Sequence, residues 1–209
     1  MNDEKKSKGE LSREKIVNCA LIKFAQQGFM NTSLQEIGNE IGIGQTAILH
    51  HYKNKYEVFN AVLDSILINL QNIMKTQSNI HDGAADLLYK SFIGNLTWVK
   101  NFPDQAHMII FLYYTSTHDK NFKKIYTELL EKIRTRYLGI ILQGQREQIF
   151  HLNYTPDEVA EILHENIVGS IINYLSSNSK KGAEKKLELK WRILMKELTH
   201  HEQKKYFPL

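Results

Sequence analysis

The amino-acid sequence predicts an all-α protein, with a small N-terminal three-helix domain over residues 1–55 and a larger helical domain over residues 56–209. Three observations carry this reading. Helix breakers are scarce, since 209 residues hold three prolines and eleven glycines. Apolar residues recur every three or four positions through long stretches, the period of a helix with one buried face. Nowhere do apolar and polar residues alternate long enough to make a half-buried strand.

The elements follow in chain order. A first helix from about Ser12 to Gln27 carries Val17, Leu21 and Phe24 in one apolar row, with Ile16 and Ala20 beside it. Gly28 stands where a helix closes on a left-handed residue. Two short helices are predicted near 33–41 and 45–52, then a long one from about Lys55 to Ser78 with Val58, Val62, Ile66 and Ile73 on one side. Five more are predicted near 82–101, 103–117, 120–147, 156–177 and 183–200. Pro103 and Pro156 suit first-turn positions, and Asp104, Asp157 and Glu158 suit the positive end of a helix dipole.

Composition excludes several classes. With 42% hydrophobic and 24% charged residues, the chain is globular rather than disordered. Its one cysteine, Cys19, rules out an intramolecular disulfide, fits a reducing compartment, and reads as a small core residue on the first helix. The N-terminal MNDEKKSKGELSREK lacks the apolar centre of a secretory leader. The longest apolar run, about Met108 to Tyr114, is far short of the roughly 20 residues that cross a bilayer. A cytoplasmic protein without membrane contact is expected. Net charge is +4, but residues 180–209 are the most basic segment, with nine Lys/Arg against four Asp/Glu. Residues 1–56 hold eight against six, so charge alone does not point to nucleic acid.

Residues 33–52, SLQEIGNEIGIGQTAILHHY, carry the functional argument. Ser33 with Glu36 makes a capping box. Leu34, Ile37 and Ile41 recur at helical spacing, and Gly38 is small where two helices must cross closely. Gly42-Ile43-Gly44 forces a tight turn, and Ala47 and Ile48 resume the apolar side. Two short amphipathic helices joined by a Gly-containing turn form a helix-turn-helix. The second helix is slim enough for a major groove of roughly 12 Å. From Ile41 to Tyr56 the only ionised side chains are Lys53 and Lys55. The same turn also occurs in helical proteins that bind no DNA.

The first 60 residues resemble the DNA-binding domain of the tetracycline-repressor (TetR) family. The likeness rests on Ile16, Ala20, Phe24 and Gly28, then Thr32-Ser33, Ile37 and Gly42-Ile43, then Ile48, His51-Tyr52 and Lys53-Asn54-Lys55. A fainter likeness to the family's second domain runs from Gln143-Gly144 to Phe150 and from Ile167 to Ile172. Three positions depart from the family pattern: Leu49 replaces a tyrosine whose hydroxyl contacts a phosphate, Gly44 replaces the turn serine, and Thr46 fills the following small position. They bear on operator sequence and phosphate grip rather than on fold.

The resemblance implies a transcriptional regulator, most commonly a repressor released from operator DNA by a small effector. It implies backbone contacts from Thr32, Ser33, His51 and Lys55, with Ala47 and Leu49 on the same reading surface. Gln45, Thr46 and His50 are candidates for base edges, since Gln pairs with adenine and the Thr methyl meets thymine. Lys5, Lys6, Lys8 and Arg13 form either a basic arm or a solvated tail. The family dimerises through its last two long helices, here near 156–177 and 183–200. Val159, Ile162, Leu163, Ile167, Ile171 and Tyr174 make one stripe, and Leu187, Leu194 and Leu198 a second; core packing explains both stripes equally well. The aromatic middle region corresponds to the family's effector pocket, with Trp98, His107, Phe111, Tyr114 and Tyr137 as candidate lining or as ordinary core.

Other chemistry is thin. His81-Asp82 and His118-Asp119 are His-Asp pairs of the kind found in helical metal-dependent hydrolases, but Asp82 and Asp119 serve equally as helix caps. His164-Glu165 lacks the second histidine of a zinc-protease helix, and His200-His201 is a bare pair. No glycine-rich phosphate loop occurs. The expectation is a non-enzyme without cofactor or metal; a DNA-binding protein of the same fold that takes no effector, and a helical metallohydrolase, are the alternatives.

Overall fold

A computed structural model describes residues 7–77 and 82–199. Among them the chain forms nine helices and no strand: α1 (Lys8–Gln27), α2 (Leu34–Glu40), α3 (Gln45–His51), α4 (Lys55–Gln77), α5 (Ala84–Asn101), α6 (Pro103–Ser116), α7 (Lys120–Arg146), α8 (Pro156–Ser176) and α9 (Lys180–Thr199). The all-α expectation holds. The largest boundary difference is α1, which starts four residues early because Ser7 and Glu10 form a capping box. Thr155 with Glu158 caps α8 in the same way, and Asp119 accepts the amides of Asn121 and Phe122 at the start of α7. His81, His200 and His201 lie outside the described residues.

Two compact units divide the chain: Met1–Asn69 with Asp104–Ile125, and Leu70–Pro103 with Tyr126–Leu209. The cuts fall inside α4, at the α5–α6 junction and inside α7. The physical reason is an aromatic knot in the first unit. Phe29 lies with its ring centre 4.9–6.2 Å from those of Phe24, Tyr56, Phe59, Phe111 and Phe122. These rings come from α1, the turn after it, the first half of α4, α6 and the start of α7, and so weld those pieces into one core. Ile16, Ala20, Ile37 and Ile48 close it toward the short helices, each fully buried. Cys19 is buried as expected, and burial pushes its thiol pKa up.

The second unit packs α5 against α8, and α8 against α9. Leu88, Phe92, Trp98 and Val99 on α5, Val159, Leu163 and Ile167 on α8, and Trp191 and Met195 on α9 are all buried, and the Phe92 and Trp191 rings lie 5.3 Å apart. Its one described buried polar cluster is satisfied: the Tyr137 and Ser91 hydroxyls lie 3.1 Å apart, and the Asn95 amide donates to the Ser91 carbonyl at 2.8 Å. The Glu147 carboxylate reaches from beyond α7 to accept the Ala84 amide at 2.9 Å, capping α5.

Gly144, inside α7, is a packing requirement. A Cβ there would stand 2.0 Å from the Phe150 ring, and that ring is buried. Gly144→Ala should destabilise the protein by about 1–3 kcal/mol, the usual cost of forcing a methyl into a filled core. A lowered urea midpoint with an unchanged m-value is the expected result.

Candidate nucleic-acid interface

The site is built from three joints in the first unit. At the first, the chain leaves α1 through Gly28 and reaches Ser33, whose hydroxyl accepts the Glu36 amide while Glu36 accepts the Ser33 amide. Those two bonds satisfy end groups of α2 and hold the Glu36 carboxyl below its usual pKa. At the second, α2 crosses into α3. A Cβ on Gly38 would lie 2.6 Å from the Ile43 carbonyl oxygen, so only glycine lets the turn close. Gly42 takes φ 73°, a left-handed conformation that side chains resist. At the third, Ile48 is fully buried and pins α3 by its inner face.

What remains of α3 faces outward. Gln45, Thr46, Ala47, Leu49 and His50 are exposed, and His51 is half-buried. Leu49 keeps 42% of its surface exposed. Ser33 is exposed at the start of α2. Lys53 is exposed, and no described carboxylate is paired with its ammonium. Sequence reasoning passed over Lys53 as a phosphate contact, although its charge beside Lys55 was the available signal. Lys8 and Arg13 are exposed on α1; Lys5 and Lys6 lie outside the described residues.

Two of the expected backbone contacts are placed otherwise. Thr32 is 1% exposed, and its hydroxyl donates inward to the Gly28 carbonyl at 2.9 Å. The Lys55 ammonium donates to the carbonyls of Phe29 at 2.7 Å and Thr32 at 2.8 Å, with Met30 at 3.4 Å, and sits 4.4 Å from the centre of the Phe29 ring. Burial lowers its pKa. Both side chains are bonded into the turn that presents α2 rather than turned out from it. Nothing in the sequence announced this, because the partners of Lys55 are main-chain atoms.

The five candidate effector residues are not gathered in one unit. Trp98 and Tyr137 are buried in the second; His107, Phe111 and Tyr114 belong to the first. Phe111 is part of the aromatic knot, His107 is exposed, and Tyr114 is 70% exposed with its ring against His118. The second unit holds an apolar cavity bordered by Phe92, Asn95, Leu96, Ile167, Ser170 and Tyr174. The predicted α8 and α9 stripes divide: Val159, Leu163, Ile167, Ile171 and Leu198 are core, Tyr174, Leu187 and Leu194 are half-buried, and Ile162 is exposed, as are Ile172, Leu189 and Ile193 outside the stripes. Among the described residues no group of three or more His, Cys, Asp or Glu side chains is placed to hold a metal, and no helix is long and apolar enough to cross a membrane.

An outward-facing second helix after a glycine-locked turn, on a chain with a further helical unit, defines a helix-turn-helix protein of the two-domain all-helical kind. Residues 16–62 match the sequence profile of the bacterial regulatory proteins, tetR family. The match runs from within α1 through α2 and α3 to the first turns of α4, the segment that holds the helix-turn-helix. The chain is 28% identical over 114 residues to "Probable acrEF/envCD operon repressor" of Escherichia coli K12, covering 53% of this chain and 51% of that one. It is 37% identical over 57 residues to the HTH-type transcriptional regulator AcrR of Shigella flexneri, covering 27% and 26% of the two chains. The chain thus spans about half the length of the first of these relatives and less of the second. The first is named as a repressor and the second as a transcriptional regulator.

The fold likeness extends over nearly the whole chain. A TetR-family regulator from Cytophaga hutchinsonii superposes with a TM-score of 0.74 at 14% identity, covering 95% of this chain and 100% of that one. A Saccharomonospora viridis protein solved in complex with choline gives 0.66 at 20% identity, covering 85% and 94%.

The clamp made by Lys55 gives a direct test. Lys55→Ala strips the ammonium from at least two part-buried carbonyls and should cost about 1–3 kcal/mol of stability. Thermal melts of the variant and of exposed Lys53→Ala should separate, with only the former shifted by several degrees.

Proposed function

We propose that this protein is a DNA-binding transcriptional repressor that holds a two-fold-symmetric operator as a homodimer and leaves it when a small hydrophobic or amphipathic effector binds. The observation that carries the reading is the outward face of α3. Ile48 anchors the helix while Gln45, Thr46, Ala47, Leu49, His50 and the edge of His51 stand free, without a carboxylate among them. A polyanion with base edges in a groove suits such a face. Ser33 and Lys53 flank it as backbone contacts, Ser33 at the start of α2 and Lys53 just after α3.

One helix of seven residues reads too few base pairs for useful selectivity, so two copies are needed, held about one DNA turn apart. Ile162 and Ile172 on α8 and Leu189 and Ile193 on α9 leave apolar surface uncovered in the single chain. Gly169, exposed between those two isoleucines, admits a close helix. These features support a dimer through α8 and α9. For the effector, Trp98 and Tyr137 remain the better candidates of the original five. The Tyr137 hydroxyl is linked through Ser91 and Asn95 to the cavity that Asn95 borders, which supplies a polar tip in an apolar setting. The choline complex of a protein similar in fold is in keeping with a small-molecule effector. An effector that favours one conformation over another changes operator affinity, and operator changes effector affinity by the same factor.

Selection of bound duplexes from a random pool tests this function. A palindromic motif with half-sites centred about 10 base pairs apart is the expected outcome; retention of no duplex, or of asymmetric single sites by a monomer, contradicts it. On the recovered duplex, Lys53→Ala should lessen the slope of log affinity against log salt by about 0.9, and Lys55→Ala should leave that slope unchanged.

A further inference from the structure

The direction in which each α3 side chain points is fixed by Ile48. At about 100° per residue, Thr46 and His50 each lie about 160° from it, at the pole facing away from the core. Leu49 and Ala47 flank that pole at about 100° on opposite sides, and Gln45 stands at the first turn on the Leu49 side. The outward arc therefore runs Leu49, Thr46, His50, Ala47: an isobutyl group, a methyl with a hydroxyl, an imidazole and a methyl, all exposed.

Each of these groups has a limited vocabulary in a major groove. Guanine is most often chosen by the paired donors of Arg or by Lys at O6 and N7, and cytosine N4 by a carboxylate; α3 offers none of the three. Thymine is marked by its C5 methyl, which packs against apolar carbon such as Ala or the Thr methyl. Gln45 can bond adenine N6 and N7 together. His50 can donate to a purine N7, which adenine and guanine both carry, so it does not select between them. Leu49, 42% exposed, has no polar atom for a phosphate or a polar edge and offers a groove only carbon.

We propose that α3 reads A·T base pairs, with Leu49, Thr46 and Ala47 seated on thymine methyl groups and Gln45 on an adenine edge, so that each operator half-site is A·T-rich beneath this helix. The inference rests on the DNA-binding reading above and adds the base class that the site selects.

The test uses the full chain and the duplex it retains from a random pool. Each thymine of one half-site is replaced in turn by 2′-deoxyuridine, which removes only the C5 methyl. A·T pairs should dominate the half-site, and at least one replacement should weaken wild-type binding about fourfold, the factor expected for one buried methyl. That loss should disappear in Leu49→Ala or in Thr46→Ser, both exposed positions whose circular dichroism should match wild type. G·C pairs beneath α3, full affinity at every deoxyuridine, or a loss that persists in both variants overturns the inference alone. Failure to retain any duplex overturns the DNA-binding reading, and this inference with it.

Discussion

A single ammonium fixes the first unit. Lys55 opens α4, yet its charge is given to the carbonyl groups of the turn between α1 and α2 and lies over the face of Phe29. Backbone carbonyls removed from water need a donor, and a cation supplies stronger bonds than a neutral group. The turn cannot swing without baring those oxygens or pulling Phe29 out of the aromatic knot. Thr32 reinforces it from within by bonding back to Gly28. The start of α2 at Ser33 is thereby fixed, and the glycine crossing at Gly38 passes that fixed position on to α3.

The surface of α3 is thus a consequence of packing that lies elsewhere. The helix has seven residues, too few to be stable alone, and contributes one buried anchor, Ile48. Everything else on it is free to serve recognition. This separation lets exposed residues such as Leu49 and Thr46 vary at little cost to folding, whereas Gly38 and Lys55 cannot. The polar groups that would compete with a ligand are occupied nearby: Glu36 in its capping box and Glu40 with Lys23 at 2.9 Å.

In the second unit the same helices meet two demands. One stripe of α8 closes the core through Leu163 and Ile167, and a neighbouring stripe keeps Ile162 and Ile172 at the surface. On α9, Trp191 and Met195 go inward while Leu189 and Ile193 do not. Each helix is apolar on more than one side, and its own core covers one stripe while the other stays exposed.

Much of this was legible in the residues themselves. Breakers, periodicity and capping pairs located the nine helices of the described residues, because they act within a few positions of chain, and the order of Gly28, Thr32-Ser33, Gly42-Ile43 and His51-Tyr52 marked the helix-turn-helix. Chain geometry alone required glycine in the turn and placed Gln45 to His51 after it. Long-range contacts decided the rest. That Lys55 and Thr32 turn inward, that α6 shares a core with α1, and that Trp98 and Tyr114 fall in different units depend on atoms distant in sequence. A local pattern states which side of a helix is apolar; only the assembled core decides which part of that side is covered.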